Sequence, residues 1–123
     1  MKWTVRIIQG LLAVGFIFFS FMKLSANPMQ VEAFNDVYGY GTGFMYMVGA
    51  IELVAAIGLI IGFWKKGLAA FFSAVLMVVM TGATFTHLIA GQGIGVAATP
   101  LVLLILTAVV FFGHRKTREV AAA

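Results

Sequence analysis

Three ionisable side chains, Lys23, Glu52 and His87, lie within or at the ends of long apolar stretches of this sequence. A charged group at the centre of a bilayer costs about 2.5–3.5 kcal/mol on insertion scales, so it is expected to face protein or water and to have a partner. Intramembrane acids of this kind often relay protons or bind ligands. They can also hold helices in register through hydrogen bonds, and the sequence leaves both interpretations open for Glu52.

The positions of these groups along the chain predict that they lie at a similar depth. Glu52 is about nine residues into its apolar stretch, or about 13 Å from the nearer end at the rise of an α-helix. Because helical side chains tilt toward the N-terminus of their own helix, Lys23 and Glu52 lean toward each other on antiparallel helices. We expect His87 to join them in one half of a bundle. Alternatively, Lys23 extends to the lipid headgroups, and His87 bonds a carbonyl or Thr84 at its helix end.

Small and polar residues recur every three or four positions in each stretch, which places them on one helix face. Such faces are typical of helix–helix contacts in lipid, and Gly58-x-x-x-Gly62 predicts a further close contact. The predicted faces are Arg6, Gln9, Ala13, Phe16, Ser20 and Lys23 in the first stretch, Met45, Gly49, Glu52 and Ala56 in the second, and Ser73, Met77, Thr81 (or Met80), Thr84 and His87 in the third.

The composition is that of an integral membrane protein. The chain has 123 residues, of which 63% are hydrophobic and 10% are charged, and its mean hydropathy is +1.09. So few charges exclude a small soluble domain. The apolar runs are long and lack the alternation of strands, so we predict an all-α membrane protein with one transmembrane four-helix bundle over residues 1–123. The predicted spans are about 5–24 (too long for a typical signal peptide), 43–64, 68–90 and 96–112.

A polar stretch separates the first two predicted spans. Asn27 is predicted to cap a short amphipathic helix from Pro28 to about Tyr38, which would lie on the membrane surface. Tyr38, Tyr40 and Tyr46 fit an aromatic belt at the interface, and the alternative is that they line a ligand pocket.

The basic residues predict the orientation of the bundle. With four spans, one side carries almost all of them, whereas the other carries Glu32 and Asp36 with Lys23 at its edge. The positive-inside rule then places both termini in the cytoplasm, and His114 is interpreted as an interface residue beside a basic tail. The basic residues on the cytoplasmic side would be Lys2, Arg6, Lys65, Lys66, Arg115, Lys116 and Arg118.

Several chemistries are excluded or disfavoured by the residues present. The chain has no cysteine, which excludes thiolate chemistry and disulfide exchange. His87 and His114 are predicted about a membrane apart, so they cannot share a haem. Glu52 and His87 are too few ligands for a catalytic metal, and we predict no metal site. The basic residues cluster at helix ends, which indicates topology signals and no nucleic-acid binding.

Four segments of the sequence resemble the DoxX-like family of small membrane proteins. Gly15-Phe-Ile-Phe-Phe-Ser20-Phe-Met-Lys23-Leu24 is similar to the family's glycine–aromatic–small–lysine signature, and Gly49-Ala-Ile-Glu52-Leu53 to its glycine–glutamate–leucine motif. Thr84-Phe-Thr-His87-Leu88 resembles the end of its third span. Pro100, expected in the first turn of the fourth span, precedes a similar leucine run. The resemblance implies a four-helix protein of the bacterial inner membrane. Some members are subunits of quinone-reducing oxidoreductases or act with partners in redox stress.

These observations lead to a functional hypothesis. We predict a polar pocket lined by Lys23, Glu52 and His87, with Ser20, Tyr46 and Thr84 nearby, that binds a quinone-like or other small amphipathic molecule. Lys23 or His87 would donate to a quinone carbonyl, and Glu52 would relay a proton.

The resemblance further implies an accessory subunit of a membrane redox system, in which a partner protein supplies the electrons and no cofactor is held covalently. A bundle this short buries little surface, which is compatible with a homodimer. The alternatives are a non-catalytic scaffold or lipid-binding protein, and a small multidrug transporter. The transporter is disfavoured because its essential glutamate belongs in the first span.

Overall fold

The computed structural model describes residues 2–91 and 94–122, and no strand occurs among them. Among the described residues, four helices are long and apolar enough to cross a membrane, with candidate spans at Trp3–Leu24, Thr42–Ile61, Gly67–Ile89 and Ala97–His114. The predicted all-α fold with four spans is therefore confirmed. The helices are α1 (Lys2–Leu24), α2 (Pro28–Glu32), α3 (Thr42–Ile61), α4 (Lys66–Ile89) and α5 (Ile94–Ala122), and a π-helical segment, Ala33–Val37, follows α2 directly.

The four long helices share one hydrophobic core. It contains Leu12, Ala13 and Phe16 from α1, Ala55, Ala56 and Leu59 from α3, Leu76 and Met80 from α4, and Val110 from α5. The outward side chains are apolar as well: Leu11 is 69% exposed and Val78 is 75% exposed. In water this surface would be unfavourable, whereas in a bilayer it faces lipid tails of the same polarity.

The helices run alternately up and down, so the bundle has two ends. At the first, called here the basic end, Gln9 of α1 contacts Leu59 of α3 and His114 of α5. At the second, called here the loop end, Lys23 of α1 meets Glu52 of α3, and α2 and the π-helical segment follow α1.

Glycines allow α3 to approach its neighbours closely. A Cβ atom on Gly58 would lie 2.1 Å from the Phe72 ring, and one on Gly62 would lie 2.9 Å from the Ala69 backbone. The Gly58-x-x-x-Gly62 motif therefore packs against α4, as predicted. Both contacts lie toward the basic end of α3, so they fix the two helices there.

The short helix between the first two spans differs in part from the prediction. The Asn27 side chain accepts a hydrogen bond from the Met29 N–H at 3.0 Å, and Pro28 occupies the first turn, as expected for this cap. The single predicted helix to Tyr38 is instead a five-residue α-helix followed by a π-helical turn, in which the Tyr38 N–H bonds the Ala33 carbonyl at 2.8 Å. Phe34 is buried, so the predicted apolar face of this segment does pack inward.

The helix of the fourth span is longer than the span predicted for it, 96–112, whereas its candidate membrane span is Ala97–His114. Helix α5 begins at Ile94 and continues past the predicted end at residue 112, to Ala122. Pro100 therefore lies inside the helix and not in its first turn. Proline is tolerated inside transmembrane helices, because neighbouring groups satisfy the backbone that it leaves unpaired.

Candidate ligand-binding cavity

An ion pair joins α1 and α3 inside the bundle. Lys23 Nζ lies 3.0 Å from Glu52 Oε1, which confirms the prediction that the two side chains lean toward each other. Glu52 exposes only 1% of its surface. A Cβ atom on Gly49 would lie 2.9 Å from Lys23 Cβ, so glycine at this position lets α1 come close enough for the pair to form.

The ion pair leaves part of the hydrogen-bonding capacity of Glu52 unused. Lys23 Nζ is the ion-pair partner of Oε1, which has no hydrogen-bond partner among the described residues. A buried carboxylate oxygen without a hydrogen bond is costly, so this position is suited to an additional donor. Lys23 Nζ also lies 5.8 Å from the centre of the Phe19 ring, which is within cation–π range.

A cavity of about 850 Å³ adjoins this pair in the loop half of the bundle. Its α3 wall extends from Phe44 to Glu52, and its α4 wall extends from Val78 to Ile89. Because glycines hold α3 against α4 at the basic end, the cavity occupies the part of the α3–α4 interface beyond those contacts. Apart from its apolar walls, the lining includes the polar side chains of Lys23, Gln30, Tyr38, Tyr40, Glu52 and His87.

Two tyrosines connect the segment before α3 to the end of α4. Tyr38 Oη lies 3.3 Å from His87 Nδ1, and the two rings pack edge to face with centroids 5.4 Å apart. Tyr40 Oη lies 2.9 Å from Thr86 Oγ1. Burial, and to a lesser extent the neighbouring Tyr40, raise the pKa of Tyr38 above its ordinary value, so its phenol is neutral at physiological pH. These contacts lie at the loop end of the cavity, which both tyrosines line.

The structure brings together three of the six predicted site residues. Lys23, Glu52 and His87 line the cavity, whereas Ser20, Tyr46 and Thr84 do not. The Ser20 and Thr84 hydroxyls donate to carbonyls of their own helices, at Ile17 and Met80 respectively. Tyr46 is exposed.

Sequence reasoning did not place Gln30 in the pocket, and of the three tyrosines it placed Tyr46 near the pocket, whereas Tyr38 and Tyr40 line the cavity. All three tyrosines follow the first span, and their spacing gives no sign of which ones turn inward. Gly39 and Gly41 both have positive φ angles, which ordinary side chains rarely adopt, and they turn the chain so that Tyr40 points back toward α4. The glycine spacing predicts a turn but not its direction.

A second buried polar group lies at the basic end. The Gln9 side chain donates to the Leu59 carbonyl at 2.7 Å, and its Oε1 lies 2.6 Å from His114 Nε2. Both Gln9 and His114 are buried, so His114, at the end of the fourth candidate span, is part of the helix packing, which its interpretation as an interface residue did not predict. This group ties three helices together and lies outside the cavity. No group of three or more metal-ligating side chains occurs in the part of the chain that the structure describes.

Comparisons with known proteins identify the family of this chain. The family model of the DoxX-like family matches residues 7–110. The uncharacterized protein YdgD of Bacillus subtilis (strain 168) is 28% identical over 103 residues, which cover 83% of this chain and 90% of that protein. No solved structure matches the chain significantly. With four apolar helices and a family match over most of its length, the chain is a membrane protein that belongs to the DoxX-like family.

Proposed function

We propose that the cavity binds a quinone-like or other small amphipathic molecule, and that the protein is an accessory subunit of a redox system in the bacterial inner membrane. The observation that carries this proposal is the combination of a cavity of about 850 Å³ with a buried ion pair in its wall. Ligand pockets of about 300–1,000 Å³ with apolar walls and a few convergent polar groups are typical of small-molecule sites.

The polar side chains of the cavity fit the head of such a molecule. Lys23 carries N–H groups beyond the one nearest Glu52, and it would donate to a carbonyl of the occupant. His87 and Tyr38 lie at the loop end of the same cavity and offer a second polar position. Glu52 is placed to accept a proton, and the apolar walls between the two positions would hold a ring or hydrocarbon chain.

An accessory role follows from what the side chains can do. Protein residues of these types bind, orient and transfer protons, but electrons must come from a cofactor or a partner protein. A redox partner is therefore part of the proposal.

A purely structural role is the second candidate, and the contact between Gly49 and Lys23 favours it. This close approach places the ion pair where it holds α1 against α3, whatever the cavity contains. A scaffold would need the pair for stability and would have no saturable ligand.

Quinone binding to the purified protein in nanodiscs distinguishes the two candidates. We expect saturable binding of ubiquinone or menaquinone to the wild type and its loss in Glu52→Gln and Lys23→Met. The matched controls are Glu32→Gln and Lys65→Met, which make the same changes at exposed positions outside the cavity. Absence of binding, or binding that all four variants retain, would support the scaffold.

A glycine in the cavity wall gives an independent test that leaves the ion pair intact. Gly82 lines the cavity, and a Cβ atom there would meet nothing within 4 Å. We expect Gly82→Leu to fold normally and to weaken ligand binding about tenfold, because the new side chain takes up cavity volume. Gly15→Leu is the control, since Gly15 also has open space but does not line the cavity. Equal binding by both variants would contradict this assignment of the site.

A further inference from the structure

The charges in the cavity wall restrict the head group of its occupant. Lys23 and Glu52 form a pair, so their charges offset each other. An anionic head placed against Lys23 would also meet the Glu52 carboxylate, and a cationic head placed against Glu52 would also meet the Lys23 ammonium. Both arrangements add a repulsion in a medium of low dielectric constant. A neutral head avoids that repulsion.

The hydrogen bonds that remain open restrict the head further. Glu52 Oε1 is buried and lacks a hydrogen-bond partner among the described residues, so it is suited to accept from the occupant. Lys23 can only donate. A head that meets both must donate one hydrogen bond and accept another, which a hydroxyl does and a carbonyl or an ether does not.

The walls of the cavity indicate how the occupant enters. Met47, Val78 and Phe85 line the cavity and are also 49%, 75% and 59% exposed on membrane-spanning segments. A wall made of residues that also face the lipid is open to the bilayer. At the loop end, the Tyr38–His87 and Tyr40–Thr86 contacts join α4 to the segment before α3.

We infer that the cavity selects an uncharged amphiphile with a hydroxyl head, such as a phenol or an alcohol on a hydrocarbon chain, which enters sideways from the bilayer. The hydroxyl lies beside the ion pair and bridges it, donating to Oε1 and accepting from Nζ. The chain leaves through the apolar wall between α3 and α4. This inference rests on the proposed function, because it concerns the same cavity, and it names the chemical class that the cavity prefers.

Two probes that differ only at the hydroxyl test the inference. They are para-dodecylphenol and its methyl ether, para-dodecylanisole, and binding to the purified protein in detergent is counted by native mass spectrometry. We expect the phenol to bind with one-to-one stoichiometry and at least about tenfold more tightly than the ether, because the ether leaves Glu52 without a donor. In Glu52→Gln the preference for the phenol over the ether should fall severalfold, whereas Glu32→Gln should keep this preference.

The outcomes separate this inference from the proposed function. If both probes bind the wild type equally, and Gly82→Leu weakens both, the cavity is a binding site but the inference about the hydroxyl is wrong. If neither probe binds and quinones do not bind either, the inference and the proposed function both fail. A preference for the phenol that persists unchanged in Glu52→Gln would place the hydroxyl elsewhere and would also overturn the inference.

Discussion

At the scale of single residues, the Lys23–Glu52 pair dominates the energetics of the loop half of the bundle. Removing one partner of a buried pair leaves an uncompensated charge, which costs about 3–5 kcal/mol, whereas replacing both partners with apolar groups is often neutral. Glu52 is almost fully buried and Lys23 is largely buried, so we expect these costs to apply to the Lys23–Glu52 pair.

We therefore expect Glu52→Leu to lower the free energy of unfolding by about 3 kcal/mol, because it leaves the Lys23 ammonium unpaired among apolar side chains. Glu52→Gln should cost less, since the amide oxygen keeps a polar partner beside Lys23. The double variant Glu52→Leu/Lys23→Met should recover most of the loss. Denaturant unfolding followed by circular dichroism measures all three, and a double variant no more stable than Glu52→Leu would show that the two residues are not coupled.

Tyr38 gives a prediction about alkaline pH. Its pKa is raised above the ordinary value of 10.0, mainly by burial, so folding favours the neutral phenol. The associated stability is fully present below pH 10 and is lost as pH rises through the raised pKa. We expect the wild type to lose stability above about pH 10 more steeply than Tyr38→Phe.

Ultraviolet absorbance of tyrosinate during a pH titration tests this assignment directly. Tyr38→Phe should remove the absorbance component that titrates at the raised pKa of this phenol, and Tyr46→Phe is the matched variant at an exposed position. If the absorbance component that titrates above the ordinary tyrosine pKa persists in Tyr38→Phe, the burial of Tyr38 does not explain the loss of stability at alkaline pH.

At the scale of elements, the position of α1 against α3 depends on Gly49. A methyl group there would lie 2.9 Å from Lys23 Cβ, an atom too close to the backbone to move aside without shifting the helix. We expect Gly49→Ala to destabilise the protein by about 1–3 kcal/mol and to weaken ligand binding, because it separates Lys23 from Glu52. Gly43→Ala on the same helix meets nothing within 4 Å and should be neutral or slightly stabilising. Equal stability of the two variants, measured by thermal unfolding, would contradict the close approach of α1 to α3 at Gly49.

The elements also show how far the sequence predicts this fold. The four spans, the Asn27 cap and the packing of Gly58 and Gly62 follow from local patterns, because apolar length, capping chemistry and small residues act within one helix or between neighbouring faces. The π-helical turn after α2 was not predicted. An α-helix and a π-helix bury nearly the same side chains over one turn, so the apolar pattern does not distinguish them.

The site could be predicted only in part, because local patterns identify some of its residues and tertiary contacts decide the others. Lys23 and Glu52 are rare charges in apolar helices, so the need for a partner identifies them, and the tilt of helical side chains indicates that they meet. The inward turn of Tyr38 and Tyr40 depends on the path of residues 38–41 and on contacts with α4. Similarly, the burial of His114 depends on Gln9, which is far away in the sequence. Such contacts are set by tertiary structure, and local patterns do not contain them.

At the scale of the whole molecule, the charges are divided between the two ends of the bundle. Arg6 and the Lys65–Lys66 turn belong to the basic end, whereas the acidic residues Glu32 and Asp36 lie in the segment at the loop end. The positive-inside rule predicts that the basic end faces the cytoplasm and that the loop end faces outward. In that orientation the cavity lies in the outer half of the membrane, and an occupant enters from the outer leaflet.

The absence of cysteine from the natural sequence makes this orientation directly measurable. Ser25→Cys introduces a thiol at an exposed position of the loop end, and Gly67→Cys introduces one at an exposed position of the basic end, without changing any charge. In intact cells without an outer membrane barrier, a membrane-impermeant maleimide should label Ser25→Cys, but it should label Gly67→Cys only after lysis. The reverse pattern would place the cavity in the inner leaflet, and any redox partner would then meet it from the cytoplasm.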